Sequence, residues 1–368
     1  MTGDTHSEVR SELARTGARL GRDVRLMEVC GTHTVSIFRH GLRSFLPANV
    51  RLISGPGCPV CVTAQRHIDA AIDLGRIPGV ILTTYGDMLR VPGRGGSLEY
   101  ARATGADVRV VNSTWAALRT ARENPTQDVV FIAVGFETTA PATAAAIRQA
   151  RRNGICNFSV LMAHKRVVPA MQALLEDPES RLDGFLCPGH VSVIIGSEAY
   201  RPIVERYRRP CVVAGFEPEH ILASLRVLLD QLARKEARLE NLYPQAVSAE
   251  GNETALHLLE EVFRVEDEPW RELGVIPASG YALRPEYAEF DAFERFDVEL
   301  GEDDVHPGCR CGEVIQGKAQ PDECAAFGRA CTPLNPLGPC MVSSEGTCSA
   351  WYKYGVRGSG AGVRVLSE

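Results

Sequence analysis

Between residues 24 and 218 the chain carries eight short, β-branched apolar runs, and amphipathic stretches lie between them. The runs are VRLMEV (24–29), VRLIS (50–54), GVILTTY (79–85), DVRVV (107–111), DVVFIAVGF (128–136), FSVLMA (158–163), DGFLCPG (183–189) and CVVAGFEP (211–218). Each is bounded by Gly, Pro, Asn or polar residues, and most are apolar almost throughout. Strands that bury both faces read this way, whereas a half-exposed strand alternates. The intervening AQRHIDAAIDLG, TAAAIRQARRNG, VVPAMQALLED and EAYRPIVERY have helical periodicity. Alternating β and α elements imply parallel sheets covered by helices on both faces. The expected architecture is α/β: two parallel-sheet domains flanking a cleft, followed by a small irregular C-terminal domain. Turn formers at ENPTQD (123–128) suggest a division into 1–125 and 126–240, leaving 241–368 as the third domain. VGFETTAP (134–141) and AGFEPEH (214–220) share a strand, Gly-Phe-Glu and turn, as two related domains would.

The segment 219–243 reads as one long helix, and ETALHLLEEVF as another. Beyond about residue 266 the texture turns to Pro, Gly, aromatics and cysteines, where only short elements are expected. Formal net charge is −6 with no basic run, so neither nucleic acid nor an acidic membrane is an expected partner. The first twenty residues hold acids and no apolar stretch, unlike a secretory signal, and no window approaches a spanning helix. The expected location is the cytoplasm.

Twelve cysteines in such a chain call for metal or redox chemistry rather than structural disulfides. Cys156, Cys187 and Cys211 are scattered and read as packing residues. The rest sit where chemistry is expected. In open α/β sheets the ligand crevice lies at the C-terminal ends of the strands, and four strand-end loops carry reactive groups: Cys30 and His33 in EVCGTHT, Cys58 and Cys61 in SGPGCPVC, Glu137 in GFETT, and His190 in LCPGHVS. A thiolate and an imidazole from one turn, Cys30 and His33, suit a soft metal such as Fe(II). A C-x-x-C opening a helix suits a thiol–disulfide couple or a transient metal, with half of a structural zinc site as the alternative. Glu137 and His190 are open between cleft groups and plain loop or capping residues. His40, His67, His164 and His220 read as structural or surface residues. The glycine-rich SGPGCP lacks the Lys-Ser/Thr of a phosphate loop, so nucleotide binding has little motif support.

The last sixty residues hold six cysteines, at 309, 311, 324, 331, 340 and 348, in a Gly/Pro-rich setting. This spacing fits a [4Fe–4S] cluster, which takes four thiolates and leaves two thiols over. Cys309 and Cys311 stand only two apart, as one ligand and one adjacent thiol would. A zinc knot is the alternative, but its usual C-x2–4-C pairs are absent.

With EVCGTHT, SGPGCPVC, GFETTAP, LCPGHVS and PLGPCMVSSEGTC in view, the chain resembles the HypD family of [NiFe]-hydrogenase maturation (formation) proteins from about residue 25 onward. The resemblance implies a [4Fe–4S] domain behind the two α/β domains. It implies a complex with the small chaperone HypC that holds the iron of the Fe(CN)2CO group, with cyanide coming from HypE, supplied in turn by HypF, on the way to the hydrogenase large subunit. Residue by residue, it makes Cys30 the iron-site cysteine with His33 beside it, and Cys58 and Cys61 a redox pair. It makes Cys309, Cys324, Cys331 and Cys348 the cluster ligands and Cys311 with Cys340 an adjacent thiol pair; Cys309 and Cys311 remain exchangeable. Glu137 and His190 would line the cleft as proton donors or orienting groups. Such a protein is a redox-active scaffold more than a turnover enzyme. A stand-alone [4Fe–4S] thiol–disulfide oxidoreductase and a scaffold with a purely structural cluster are the other readings.

Overall fold

The eight apolar runs all form strands, but the chain distributes them between two sheets out of order. In the computed structural model, which describes residues 3–303 and 306–355, one sheet is five-stranded and parallel. Its strands are β1 (Val24–Glu28), β2 (Val50–Ser54), β7 (Gly184–Pro188), β8 (Cys211–Ala214) and β9 (Leu239–Asn241), in the order β2, β1, β7, β8, β9. The other is four-stranded and parallel: β3 (Val80–Thr84), β4 (Asp107–Val110), β5 (Asp128–Gly135) and β6 (Phe158–His164), in the order β4, β3, β5, β6. The α/β class is therefore as expected. The division at 125/126 is not how the sheets partition, because it separates β3 and β4 from β5 and β6, which pair with them. The chain leaves the first sheet after β2, builds the whole second sheet, and returns at β7. Short polar turns look alike whether the chain stays in a sheet or leaves it, so ENPTQD carried no information on this point.

Burial explains the composition of the strands. β3 and β6 are buried at every residue, and β5 at all but its first. Helices Thr114–Glu123 and Glu253–Val262 begin at Ser113 and Asn252, whose side chains accept from the backbone N–H of Ala116 and Ala255. Such caps satisfy amides that the helix itself leaves unpaired. The N-terminal helix Gly3–Leu20 packs on helix Pro218–Ala233, with Leu13 fully buried and Glu12 paired with Arg226 at 3.2 Å.

Two expectations for the second half need correction. The helix expected over 219–243 stops at Ala233, where Lys235 turns left-handed (φ 57°) and its N–H bonds back to Leu232 O; residues 239–241 then add the edge strand β9. Across the stretch beyond about 266, where only short elements were expected, β10 (Phe263–Trp270) and β11 (Gly274–Leu283) form a long antiparallel hairpin. Its apolar residues are interrupted by acids and prolines. One of those acids, Glu268, is itself buried: its Oε1 accepts from Lys165 Nζ at 2.7 Å and lies 3.3 Å from His67 Nε2. The ion pair thus ties the hairpin to the end of β6 and to helix Gln65–Gly75.

The largest core cluster is shared. It includes Met27 and Phe185 of the first sheet, Val130 and Ile132 of the second, Trp270 of the hairpin and Cys311 and Cys340 of the tail. No helix among the described residues is long and apolar enough to cross a membrane. Residues 356–368 of the expected third domain lie outside the described residues.

Candidate functional site

The site begins where β1 ends. Val29 and Cys30 lead into helix Gly31–Arg39, with Cys30 in the N-cap position. The Cys30 N–H donates to Glu28 Oε2 at 3.0 Å, and the Thr34 hydroxyl donates to Glu28 Oε1. A buried carboxyl so placed locks the turn. Burial raises Glu28 to about 7 and pushes the Cys30 thiol up to about 12, against the backbone N–H groups of His33 and Thr32 that face its sulfur. Cys30 is only 7% exposed. A thiol in this setting keeps its proton at neutral pH and is not a free nucleophile.

The second loop lies against the first. Gly31 N–H donates to Gly57 O at 3.2 Å, and a Cβ on Gly57 would fall 2.2 Å from Cys30 N, so only glycine permits the approach. One residue on, Cys58 caps the helical turn Pro59–Val62, and its sulfur accepts from Cys61 N–H at 3.3 Å. Cys58 and Cys61 are joined as a disulfide with Cα atoms 5.3 Å apart. The Cys61 sulfur is 4.0 Å from Pro339 O, in the turn that carries Cys340. The two strand-end loops and the tail therefore meet.

Between the sheets is a cleft of about 390 Å³. Cys30, Thr32, Pro59 and His190 line it from the first sheet, Phe136 and Thr139 from the second, and Glu345 from the tail. His190 is stacked on Phe216 at 3.9 Å, and partial burial lowers its pKa. Glu345 was not anticipated. Its carboxylate accepts from Thr32 Oγ1 at 2.9 Å. Its only sequence signal was its position as the sole acid between Cys340 and Cys348. Glu28, hidden inside an apolar strand run, was missed as well.

Two expected cleft residues point elsewhere. His33 is fully buried, and its Nε2–H donates to Gly215 O at 3.0 Å, turning the imidazole toward the loop after β8. Its Nδ1 has no partner among the described residues. Burial lowers its pKa to about 4, so the ring is neutral. His33 therefore contributes its backbone N–H to the Cys30 sulfur, and its imidazole to the packing of the turn. Glu137 turns below the cleft, where both carboxylate oxygens accept from Val167 N–H, at 3.1 and 3.3 Å, capping helix Val167–Glu176. Burial raises it to about 7. An orphan helix N-terminus offers a better partner than water does, and so claims the carboxyl.

In the tail, Cys311 and Cys340 are buried, and the Cys311 thiol is within hydrogen-bond reach of both Cys309 and Cys340. Cys340 also receives the Cys348 thiol and the N–H groups of Cys348 and Thr347. These donors hold its pKa well below the usual thiol range. Cys331 accepts from Leu337 N–H at 3.4 Å and feels the charges of Cys309 and Cys324, while Cys348 feels those of Cys309 and Cys331. The four expected ligands thus share one neighbourhood. It offers four thiols with backbone N–H groups facing sulfur, a donor set that fits an iron–sulfur cluster. Among the described residues no three His, Cys, Asp or Glu side chains already converge as a metal site.

Two parallel sheets facing across a cleft, with cysteines from two strand ends and the tail brought together, define the class: an α/β protein with a cysteine-rich site between its sheets. The HypD family model, described as the hydrogenase formation hypA family, matches residues 4–355. The chain is 51% identical over 341 residues to the hydrogenase maturation factor HypD of Azotobacter vinelandii, covering 91% of this chain and 90% of that one. It is 46% identical to the factor of the same name from Escherichia coli (strain K12), over 90% of each chain. With the Rhodobacter capsulatus HypD it shares 46% identity over 94% of each. The chain belongs to the HypD family of hydrogenase maturation factors.

Proposed function

We propose that this protein is the scaffold on which the Fe(CN)2CO group of [NiFe]-hydrogenase is assembled, with Cys30 holding the iron as cargo together with a thiolate from the small chaperone HypC. The observation that carries this reading is the convergence of three sulfur sites: Gly57 against Cys30, Cys61 4.0 Å from Pro339 O, and Glu345 of the tail bonded to Thr32. Soft thiolate ligation suits low-valent iron with π-acceptor ligands. Cys309, Cys324, Cys331 and Cys348 would hold a [4Fe–4S] cluster, which when bound supplies electrons one at a time.

Cyanide arrives as a thiocyanate on a cysteine of HypE, which HypF charges. Its release is reductive: the S–CN bond breaks with two electrons, giving a thiol and CN⁻. The Cys58–Cys61 dithiol provides those electrons and becomes the disulfide; one of its two protons ends on the partner's thiol and the other is released to solvent. The Cys311–Cys340 dithiol restores the Cys58–Cys61 dithiol by exchange and is left as a disulfide, which two electrons and two protons from an external reductant reopen before the next cycle. His190 and Glu345, which line the cleft, orient the incoming group there. The completed group passes to the hydrogenase large subunit.

Cys30→Ala, co-expressed with the HypC partner, is expected to lose the cyanide and carbonyl infrared bands of the complex. Their retention would remove Cys30 from the iron site. In anaerobically purified Cys324→Ala the Mössbauer signature of a [4Fe–4S] cluster should be absent, and an intact cluster would reassign that ligand.

A further inference from the structure

The turn between β10 and β11 touches both sulfur loops. Arg271, 3% exposed, donates its N–H to Val62 O at 2.9 Å and its Nε–H to Thr63 O at 3.0 Å, just past Cys61. Glu272 reaches the other way. Its Oε2 accepts from Gly312 N–H at 2.7 Å, and its carbonyl accepts from Gln316 Nε2 at 3.3 Å.

Two features of Glu272 work against the hairpin. Its φ is 58°, the left-handed region where a turn prefers glycine. Its Oε1 is buried without a hydrogen-bond partner among the described residues. Strain and an unmade hydrogen bond in one residue persist where the surrounding structure requires that side chain. What Glu272 meets is the thiol turn: a Cβ on Gly312 would fall 2.3 Å from Glu272 Cβ, so residue 312 must be glycine to admit it. A cavity of about 290 Å³, lined by Arg271, Glu272, His306, Cys309 and Pro339, opens beside the contact.

We infer that Glu272 is a positioning residue for the tail thiol pair: through its bond to Gly312 N–H it fixes the Cys309–Gly312 turn so that the Cys311 sulfur faces Cys340. The inference rests on the reading that Cys311 and Cys340 cycle between dithiol and disulfide. In that cycle two hydrogens leave the pair for an external disulfide, one S–S bond forms and one breaks. Holding the two sulfurs face to face raises their effective concentration and favours the disulfide.

The test equilibrates the full chain in buffers of reduced and oxidised dithiothreitol, traps it by alkylation, and reads the Cys311–Cys340 peptide by mass spectrometry. Glu272→Ala should move the equilibrium at least about tenfold toward the dithiol, about 30 mV. Glu272→Gln, which keeps the acceptor, should stay near wild type. Glu272→Gly lacks the carboxylate but relieves the left-handed strain, so it should shift like Glu272→Ala while unfolding at higher urea. Wild-type equilibria in both Ala and Gly variants would overturn the inference. So would a shift in Glu272→Gln as large as that in Ala, which would assign the effect to charge. If the wild-type chain forms no Cys311–Cys340 disulfide at any ratio, the reading beneath the inference fails instead.

Discussion

Single residues in this protein are governed by burial more than by charge partners. Glu137 shows it most simply, because it has no part in the cleft and one clear task, capping helix Val167–Glu176. Its carboxyl rises from an ordinary 4.5 to about 7, chiefly through desolvation. The folded state therefore binds a proton between those values that the unfolded state has released. The stability this contributes is complete below pH 4.5 and is lost as pH rises through 7. Glu137→Gln keeps an acceptor for Val167 N–H and has nothing to titrate. Relative to wild type it should gain about 3 kcal/mol between pH 4.5 and pH 8. Urea midpoints of the two proteins at both pH values check this, and parallel pH curves would refute it. The His33 ring carries the opposite sign. With its pKa lowered to about 4, it favours the fold above 6.5 and opposes it as pH falls toward 4.

At the scale of elements, the β10–β11 hairpin holds the second sheet to the sulfur loops. Its anchor is the pair Lys165–Glu268, with side chains 1% and 8% exposed, and Lys165 Nζ also donates to Pro269 O at 2.7 Å. Trp270 covers the ammonium at 5.4 Å from its ring centroid. A buried pair costs most when only one member is removed. Lys165→Met should lower stability by about 3–5 kcal/mol, and adding Glu268→Met should recover most of that loss. Denaturant titration of the single and double variants distinguishes this from a pair of independent contacts, for which the losses would add. The hairpin escaped sequence reading because its second strand is broken by Pro277 and its first carries Glu266, Asp267 and Glu268 in succession. Which of those acids points inward depends on Lys165, a hundred residues away.

The molecule as a whole is interleaved. β1 pairs with β2 on one side and with β7 on the other, while the second sheet is built entirely from the chain between β2 and β7. Residues 1–125 expressed alone would hold two strands of one sheet and two of the other, each lacking a central neighbour. That fragment should show no cooperative thermal unfolding and no dispersed amide spectrum, whereas a folded fragment would contradict the pairing of β3 with β5. The shared core, running from Met27 through Val130 to Cys340, predicts the same dependence.

Local physics was enough for much of this. The eight strands follow from β-branched apolar runs too continuous to face water, and the helices between them from their periodicity. Cys30, Cys58, Cys61 and the six tail cysteines stand out because a thiol-rich tail and strand-end thiols are chemically unusual wherever they fall. Tertiary structure alone decided the rest. Strand pairing joins residues far apart in the chain, so the order β2, β1, β7, β8, β9 left no local trace. The direction of a buried polar side chain depends on which unpaired group lies nearest: Glu137 and the His33 ring were drawn out of the cleft, by a helix N-terminus and by Gly215 O. Glu345 and Glu272 were brought beside the sulfurs by contacts with Thr32 and Gly312 that no sequence window contains.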